Sequence, residues 1–259
     1  MNSILQRSSN GVAVAADYAA LCDLVADRIA ALVREKPGAV LGLATGSTPL
    51  GVYDRLVSAA QEEGLDFSGV TCFNLDEYFP MAAESPHSYH HFMQQNLFRR
   101  IRCRRWFVPD GTLRSEAEVA QSCSEYEAAI REVGGIDLQL LGIGRTGHIG
   151  FNEPGSSPDS RTRLVTLHAM TRADAAGSFG GLESVPTQAV SMGIGTILEA
   201  REILLMASGA GKAQIVRAAW TEEPTLGLPA SWVRTHPNVR LYLDAAAAQD
   251  LDAAAQAFS

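Results

Sequence analysis

A histidine and a glutamate follow an apolar run in LGIGRTGHIGFNEPGSS, the segment Leu141–Ser157. Histidine titrates near neutral pH, and a neighbouring carboxylate can orient its ring, so His148 and Glu153 suit acid–base chemistry. The alternative is a histidine that only forms a hydrogen bond with a loop carbonyl. The end of a buried strand favours the first interpretation, because ligands of parallel sheets bind beyond the carboxyl ends of strands.

Three glycines of this segment, Gly142, Gly144 and Gly147, have the spacing of a dinucleotide-binding fingerprint. Two features exclude that interpretation. Pro154 follows instead of a long helix, and no acidic residue ends a strand about twenty residues later. We expect the glycines, Gly142 among them, to let a small ligand approach the backbone closely.

Two other loops are suited to binding an anion. Residues 45–48 precede a helix, whose free backbone N–H groups and positive dipole end favour a phosphate. The loop lacks the Gly-Lys-Ser/Thr of a P-loop, so an ordinary capped turn is the alternative. Lys212 enters another helix, where a lysine opposes the dipole and therefore implies a nearby anion. The predicted substrate-binding residues are Thr45, Gly46, Ser47, Thr48, Gly142 and Lys212.

Asp76 and Glu77 follow a further apolar run in FNLDEYF. A carboxylate there can act as a base whose pKa depends on burial and neighbouring charge, although solvating a loop is the commoner role. His87 and His91 have the spacing of metal ligands on a helix. No third ligand is near them in the sequence, and the HExxH glutamate is absent, so we predict no metal site.

Apolar runs that alternate with helical patterns predict the fold class. Near-continuous apolar strands between helices indicate an α/β protein with a doubly wound, mainly parallel sheet and helices on both faces, a Rossmann-like three-layer sandwich. We expect a single domain over residues 1–259, with the loops named above meeting at one sheet edge. The predicted strands are 11–16, 39–44, 70–75, the run RWFVPDG, 136–144, 202–208 and 239–244. The predicted helix starts are Asp17 as a cap, Pro49 in a first turn, Ser85 with Pro86, and Ser115 with Glu118 as a capping box.

The composition excludes several classes of protein. The net charge of −8 disfavours nucleic-acid binding. The basic run RRIRCRR, Arg99–Arg105, lacks interleaved aromatic residues and is expected to be a solvated helix end. The four cysteines match no zinc or redox pattern, and we find neither a signal peptide nor a membrane-spanning apolar run. We expect a cytoplasmic protein that binds neither nucleic acid nor a membrane.

Five segments resemble glucosamine-6-phosphate deaminases in their order and spacing. The resemblance covers about residues 12–247, and its most specific part is GHIGFNEPGSS, where the related 6-phosphogluconolactonases have GHTASLFP. It implies conversion of glucosamine 6-phosphate and water to fructose 6-phosphate and ammonia, through ring opening and aldose–ketose isomerisation, in amino-sugar catabolism. The other segments are LGLATGSTPLGVYDRL, FNLDEYF with SPHSYHHFM, SMGIGTILEAREILLMASGAGKA and LPASWVRTHPNV.

The resemblance also implies roles for single residues. His148 matches the acid–base residue that opens the sugar ring, and Glu153 matches its carboxylate partner. Asp76 matches the base that moves a proton between C2 and C1. The loop 45–48 and Lys212 match phosphate contacts. No metal or organic cofactor is expected, because the adjacent amine and carbonyl of the substrate carry the electron flow.

Two departures from the family pattern concern catalysis and phosphate binding. Thr146 stands where many members have an Asp or Asn that orients the histidine. Its hydroxyl can still form a hydrogen bond, so we keep Thr146 among the catalytic residues, but it cannot stabilise an imidazolium by charge. In TRADAAGSF, Ala175 and Gly177 replace an asparagine and a phosphate-binding arginine. Arg172 or a neighbouring subunit could compensate.

A third departure concerns regulation. Some family members are activated by N-acetylglucosamine 6-phosphate at a subunit interface. This chain keeps Ser156, Ser157 and Arg163 but has Val165 where those members carry a lysine. We therefore predict weak or absent activation.

Alternatives stay open at this point. A deaminase for another amino sugar phosphate, such as galactosamine 6-phosphate, would share every loop named above. A non-catalytic sugar-phosphate sensor is disfavoured because Asp76, His148 and Glu153 occur together. The sequence also leaves open a homo-oligomer and a mobile lid over residues 173–186, which is rich in glycine.

Overall fold

The computed structural model describes residues 4–7 and 11–257, and it describes side chains over residues 11–251. The strands are β1 Ile4–Arg7, β2 Val12–Ala15, β3 Val40–Leu43, β4 Thr71–Asn74, β5 Asp76–Phe79, β6 Arg105–Phe107, β7 Leu138–Gly142, β8 Arg163–Thr166, β9 Gln188–Ser191, β10 Ile203–Ala207 and β11 Val239–Asp244. The helices are α1 Tyr18–Glu35, α2 Leu50–Glu62, α3 Tyr89–Met93, α4 Glu116–Glu132, α5 Ala169–Ala175, α6 Ile194–Leu198, α7 Ala213–Thr221 and α8 Ala245–Ala257.

The larger sheet has the strand order β1-β2-β11-β10-β7-β3-β4-β6. Only the pairing of β1 with β2 is antiparallel in it, and all other neighbours are parallel. The predicted strands all occur, with boundaries that shift by at most two residues where the prediction gave both ends.

Helices cover both faces of this sheet. Alternate side chains of β10 belong to different clusters: Leu204 and Met206 pack with α1 and α2, whereas Ile203 and Leu205 pack with α4, α6, α7 and α8. This alternation is the expected consequence of the strand period of two residues. The predicted three-layer α/β fold is confirmed.

A smaller antiparallel sheet, of order β5-β9-β8, is absent from the sequence prediction. Its strands have four residues each, and a single residue, Leu75, separates β5 from β4. Such short segments carry little periodicity of their own, and they pair with partners that are distant along the chain. The sheet gives Asp76 a fixed place, because Asp76 pairs with Ser191 at the start of β5.

Two predicted helix starts need correction. Ser85 and Pro86 do not open a helix: α3 begins at Tyr89, and the Ser88 hydroxyl caps it by accepting from the His91 N–H at 2.9 Å. Ser85 lies in a turn before it. The Glu77 carboxylate also accepts hydrogen bonds at this later helix start, which the local sequence does not reveal.

Pro49 lies at the cap position of α2 rather than in its first turn. The predicted cap at Ser115 is confirmed, since its hydroxyl accepts from the Glu118 N–H at 3.2 Å. The Glu118 carboxylate accepts from the Arg114 N–H instead of closing the box on Ser115. The arginines of the run Arg99–Arg105 are exposed, as expected. No helix within the described residues is both long and apolar enough to cross a membrane.

Candidate active site

A cavity of about 640 Å³ lies at the carboxyl ends of β3, β4, β7 and β10, which are neighbours in the larger sheet. All four predicted loops contribute to it. The predicted site residues that line it are Thr45, Gly46, Ser47, Thr48, Asp76, Gly142, His148 and Lys212. Glu153 and Thr146 do not line the cavity themselves. Both contact the His148 ring at Nδ1.

His148 is held by a hydrogen-bonded group of hydroxyls and one carboxylate. Its Nδ1 lies 2.8 Å from Oγ1 of Thr146 and 3.3 Å from Oε2 of Glu153. Thr146 donates its hydroxyl proton to Glu153 Oε2 at 2.9 Å. Thr171 donates to the other carboxylate oxygen, Oε1, at 2.6 Å. Both oxygens of the carboxylate therefore have a hydroxyl partner.

These contacts assign the protons on the histidine ring. An ionised carboxylate only accepts, and a threonine hydroxyl has a single proton to donate. Because Thr146 gives that proton to Glu153, its oxygen must accept from the Nδ1–H of His148. The neutral ring then has its lone pair on Nε2, the nitrogen required for accepting a proton.

Glu153 is kept ionised despite its burial. Burial opposes its charge, but the hydrogen bond and charge of His148, together with the hydroxyls of Thr171 and Thr146, lower its pKa to about 2. A backbone N–H at His168 adds a contact of 3.3 Å to Oε1. Glu153 is thus a permanent acceptor at neutral pH and can hold the imidazole in one orientation.

The glycines of the loop have different roles from the one expected for all of them. A Cβ on Gly144 would lie 2.1 Å from Cε1 of His148, so this glycine makes room for the imidazole and not for a ligand. Gly147 has φ +77°, which favours glycine, and a Cβ there would meet Leu228. Gly142 has no atom within 4 Å of such a Cβ and lines the cavity, as a position for a close ligand requires.

Asp76 is a buried acid at the cavity wall. Its side chain is only 4% exposed, and Oδ1 has no hydrogen-bond partner among the described residues. Burial and the neighbouring charge of Glu77 raise the pKa of Asp76 well above its usual value. A carboxylate in this state binds a proton readily, which suits a group that takes up and returns one.

Glu77, next to Asp76, does not line the cavity. Its Oε1 accepts from the N–H groups of Tyr78 and Tyr89, and its Oε2 accepts from that of His90. Burial raises the pKa of Glu77 to about 7, and these backbone hydrogen bonds oppose the rise. Glu77 therefore holds the start of α3, and with it the adjoining wall of the cavity.

Two elements bring groups suited to an anion to the same cavity. The loop 45–48 connects β3 to the N-terminus of α2, and Gly46 takes φ +97° there. Lys212 ends a short 3₁₀ turn before α7 and donates from Nζ to the carbonyl oxygen of Ile143 at 2.6 Å. Burial lowers the pKa of Lys212, which indicates a partly desolvated cation.

One wall of the cavity was missed by sequence reasoning. It comes from α5 and the turns that follow, and it contributes Thr171, Asp174, Ala175, Ser178 and Phe179. Thr171 is the first residue of TRADAAGSF, and nothing in that segment indicates its hydrogen bond with Glu153. Arg145 also lines the cavity, and its only sequence signal is its place directly after Gly144.

Arg172 does not compensate for the arginine missing at residue 177. Its guanidinium donates to the carbonyl oxygens of Leu182, Val185 and Pro186 at 2.9–3.2 Å. These bonds fasten the returning chain to α5 and leave Arg172 outside the cavity lining. These contacts disfavour Arg172, one of the two sources of compensation that the sequence leaves open.

His87 and His91 do not share a helix face. His87 lies before α3 and stacks on Phe179, with ring centroids 4.6 Å apart, whereas His91 is inside the helix. Within the described residues, no cluster of three or more His, Cys, Asp or Glu side chains has the arrangement of a metal site.

Comparison with known proteins identifies one family and relatives with the same name. Residues 14–242 match the family described as glucosamine-6-phosphate isomerases/6-phosphogluconolactonase. The chain is 46% identical over 232 residues to a glucosamine-6-phosphate deaminase of Geobacillus sp. (strain WCH70), which covers 89% of this chain and 91% of that protein. It is 45% identical over 243 residues to the deaminase of Mycolicibacterium smegmatis, with 93% and 92% covered.

Solved structures agree. A monomeric glucosamine-6-phosphate deaminase superposes with a TM-score of 0.88 at 41% identity, covering 92% of this chain and 99% of that one. The 6-phosphogluconolactonase of Trypanosoma brucei has a TM-score of 0.77 at 19% identity, with 95% and 100% covered, and shares the fold.

Proposed function

The chain belongs to the family of glucosamine-6-phosphate isomerases and 6-phosphogluconolactonases, and we propose that it converts glucosamine 6-phosphate and water to fructose 6-phosphate and ammonia. One observation carries this proposal. An oriented histidine, a buried aspartate whose Oδ1 has no partner among the described residues, and a partly buried lysine line one cavity at the carboxyl edge of the sheet. The named deaminases that resemble this chain over most of its length support the same reaction.

His148 is assigned to ring opening. With its proton on Nδ1, the imidazole offers Nε2 to the anomeric hydroxyl and can return the proton to the ring oxygen. Thr146 lies between His148 and Glu153. Its hydroxyl donates to the carboxylate and accepts from the Nδ1–H, so the carboxylate and the ring are linked through one hydroxyl. The full charge of Glu153 is still close, at 3.3 Å from Nδ1, so an imidazolium would be stabilised even though residue 146 is not acidic.

Asp76 is assigned to isomerisation. The open-chain aldehyde loses its C2 proton to the ionised carboxylate of Asp76 while its aldehyde oxygen takes up a proton, which gives an enolamine. Return of the proton to C1 and loss of one N–H proton from the amine leave a hydroxyl at C1 and an imine at C2. Water hydrolyses the imine to the ketone and ammonia. The high proton affinity that burial gives Asp76 favours holding the proton between the two steps. The two acids have opposite environments, which lower the pKa of Glu153 and raise that of Asp76, and this difference divides the work between them.

Phosphate binding is assigned to the loop 45–48 and Lys212. The loop offers backbone N–H groups ahead of α2, and the lysine offers a partly desolvated charge. Gly142 gives the sugar access to the backbone. A phosphorylated sugar does not cross membranes unaided, so we propose a cytoplasmic location for the enzyme.

The test is ammonia release from glucosamine 6-phosphate, galactosamine 6-phosphate and unphosphorylated glucosamine. We expect turnover with the first, and a loss of about 10²- to 10⁴-fold in kcat for His148→Ala and for Asp76→Asn. His91→Ala is the matched control, because His91 does not line the cavity. Turnover confined to galactosamine 6-phosphate selects the second candidate substrate, and sugar-phosphate binding without any turnover selects a sensor.

A further inference from the structure

The positive charge of the cavity rests on two side chains. Among the described residues that line it, the lysine and arginine residues are Arg145 and Lys212. Arg145 Nη1 lies 2.7 Å from Oδ1 of Asp174, which lines the cavity as well. The carboxylate of Asp174 is thus paired with the guanidinium of Arg145 in the cavity where an anionic ligand has to bind.

This ion pair can exchange partners. Arg145 and Asp174 are 60% and 40% exposed, and exposed pairs of this kind contribute little stability in water. A phosphate offers an arginine two negatively charged oxygens in a bidentate geometry, which is a stronger partner than one exposed carboxylate. Phosphate is therefore expected to displace Asp174 from the guanidinium.

The pKa of Lys212 is affected by both of these charged side chains, as expected if all three lie close together. After burial, which lowers its pKa, the largest influences on Lys212 are Asp174, which raises the pKa, and Arg145, which lowers it. Once Asp174 is displaced, two cations act on the same small volume.

We propose that Arg145 is the second phosphate-binding cation of this cavity, and that Asp174 competes with the phosphate for it. The ligand class, a sugar phosphate, rests on the proposed function. The competition itself depends only on the geometry of these two side chains and on the presence of a phosphate.

Substitution of the two partners separates this proposal from a merely structural ion pair. Arg145→Ala should raise the dissociation constant of inorganic phosphate, measured by titration calorimetry, and the KM for glucosamine 6-phosphate by about tenfold or more, with kcat little changed. Arg145→Lys should recover part of the loss. Asp174→Asn should lower both constants about two- to fivefold, because the competitor is removed. A structural pair would shift both variants in the same direction.

The control pair is Arg55 with Asp23, which has a distance of 2.6 Å and exposures of 51% and 52% but does not line the cavity. Arg55→Ala and Asp23→Asn should leave phosphate binding unchanged. Unaltered phosphate binding in Arg145→Ala, or weaker binding in Asp174→Asn, overturns the proposal. Calorimetry needs no turnover, so a protein that binds phosphate through Arg145 without releasing ammonia would refute the proposed function and leave this inference standing.

Discussion

At the scale of single residues, burying the Asp76 carboxylate costs folding stability, and the role proposed for this residue explains that cost. The carboxyl is buried, and Oδ1 lacks a hydrogen-bond partner among the described residues. Because the pKa of Asp76 is raised in the folded state, the folded protein binds this proton more tightly than the unfolded chain does. Protonation of Asp76 therefore stabilises the fold. That stability is complete below the unfolded pKa and is lost as the pH rises towards the folded pKa.

Asp76→Asn should therefore be inactive but more stable than the unsubstituted protein. The amide stays neutral, so we expect a gain of about 1–3 kcal/mol in the free energy of unfolding at pH 8 and little gain near pH 4. Urea unfolding at several pH values measures it. Asp27→Asn, on an exposed helix position, is the control and should change stability little at either pH. Equal or lower stability of Asp76→Asn at pH 8 would contradict the argument.

At the scale of elements, α5 and the turns after it form a wall held by three kinds of contact. Thr171 is bonded to Glu153, Arg172 is bonded to the returning chain, and Phe179 packs between two rings. The Phe179 ring lies 5.0 Å from that of Tyr78 and 4.6 Å from that of His87. This stack joins the wall to the segment that precedes α3.

Phe179→Ala should loosen this wall. Losing the two aromatic contacts, worth about 0.5–1.5 kcal/mol each, should speed amide hydrogen exchange over residues 173–186 by about five- to 150-fold and raise the KM. Leu182→Ala, in the same segment but exposed, is the matched control. A lid also requires that a bound substrate analogue slow exchange in the unsubstituted protein. Equal protection with and without the analogue would argue against a lid.

At the scale of the whole molecule, the residues of the effector site in activated relatives have other uses here. Val165 packs against an apolar cluster that includes Phe151 and Leu167. Arg163 donates to Asn152 Oδ1 at 2.9 Å and to the Ser156 hydroxyl at 3.1 Å. Residue 165 is a valine and supplies no cation, so a phosphorylated effector would bind with one positive partner fewer at this position.

We therefore expect hyperbolic kinetics that N-acetylglucosamine 6-phosphate changes less than about twofold in half-saturation, since losing a charged hydrogen bond costs about 1.5–3 kcal/mol. Rate measurements with and without this compound, at protein concentrations where light scattering gives the oligomeric state, test it. A clear drop in half-saturation on adding the compound would refute the prediction, whichever oligomer is present.

The sequence predicts seven of the eight strands of the larger sheet, its two helical layers and the edge at which the cavity lies. Apolar runs of strand length and capped helical patterns are local, so Asp17, Ser115 and the main strands could be predicted without tertiary contacts. It also supplied His148, Asp76 and Lys212, because parallel strands bring the loops after their carboxyl ends to one edge.

Contacts between side chains that are distant along the chain could not be predicted from the sequence. Thr171 meets Glu153 across 18 residues, and Arg145 meets Asp174 across 29. The smaller sheet joins β5 to strands more than eighty residues away along the chain. Such contacts depend on how packed elements approach one another, and no local periodicity records that distance. The same packing buries Asp76, and burial sets the proton affinity on which its proposed role depends.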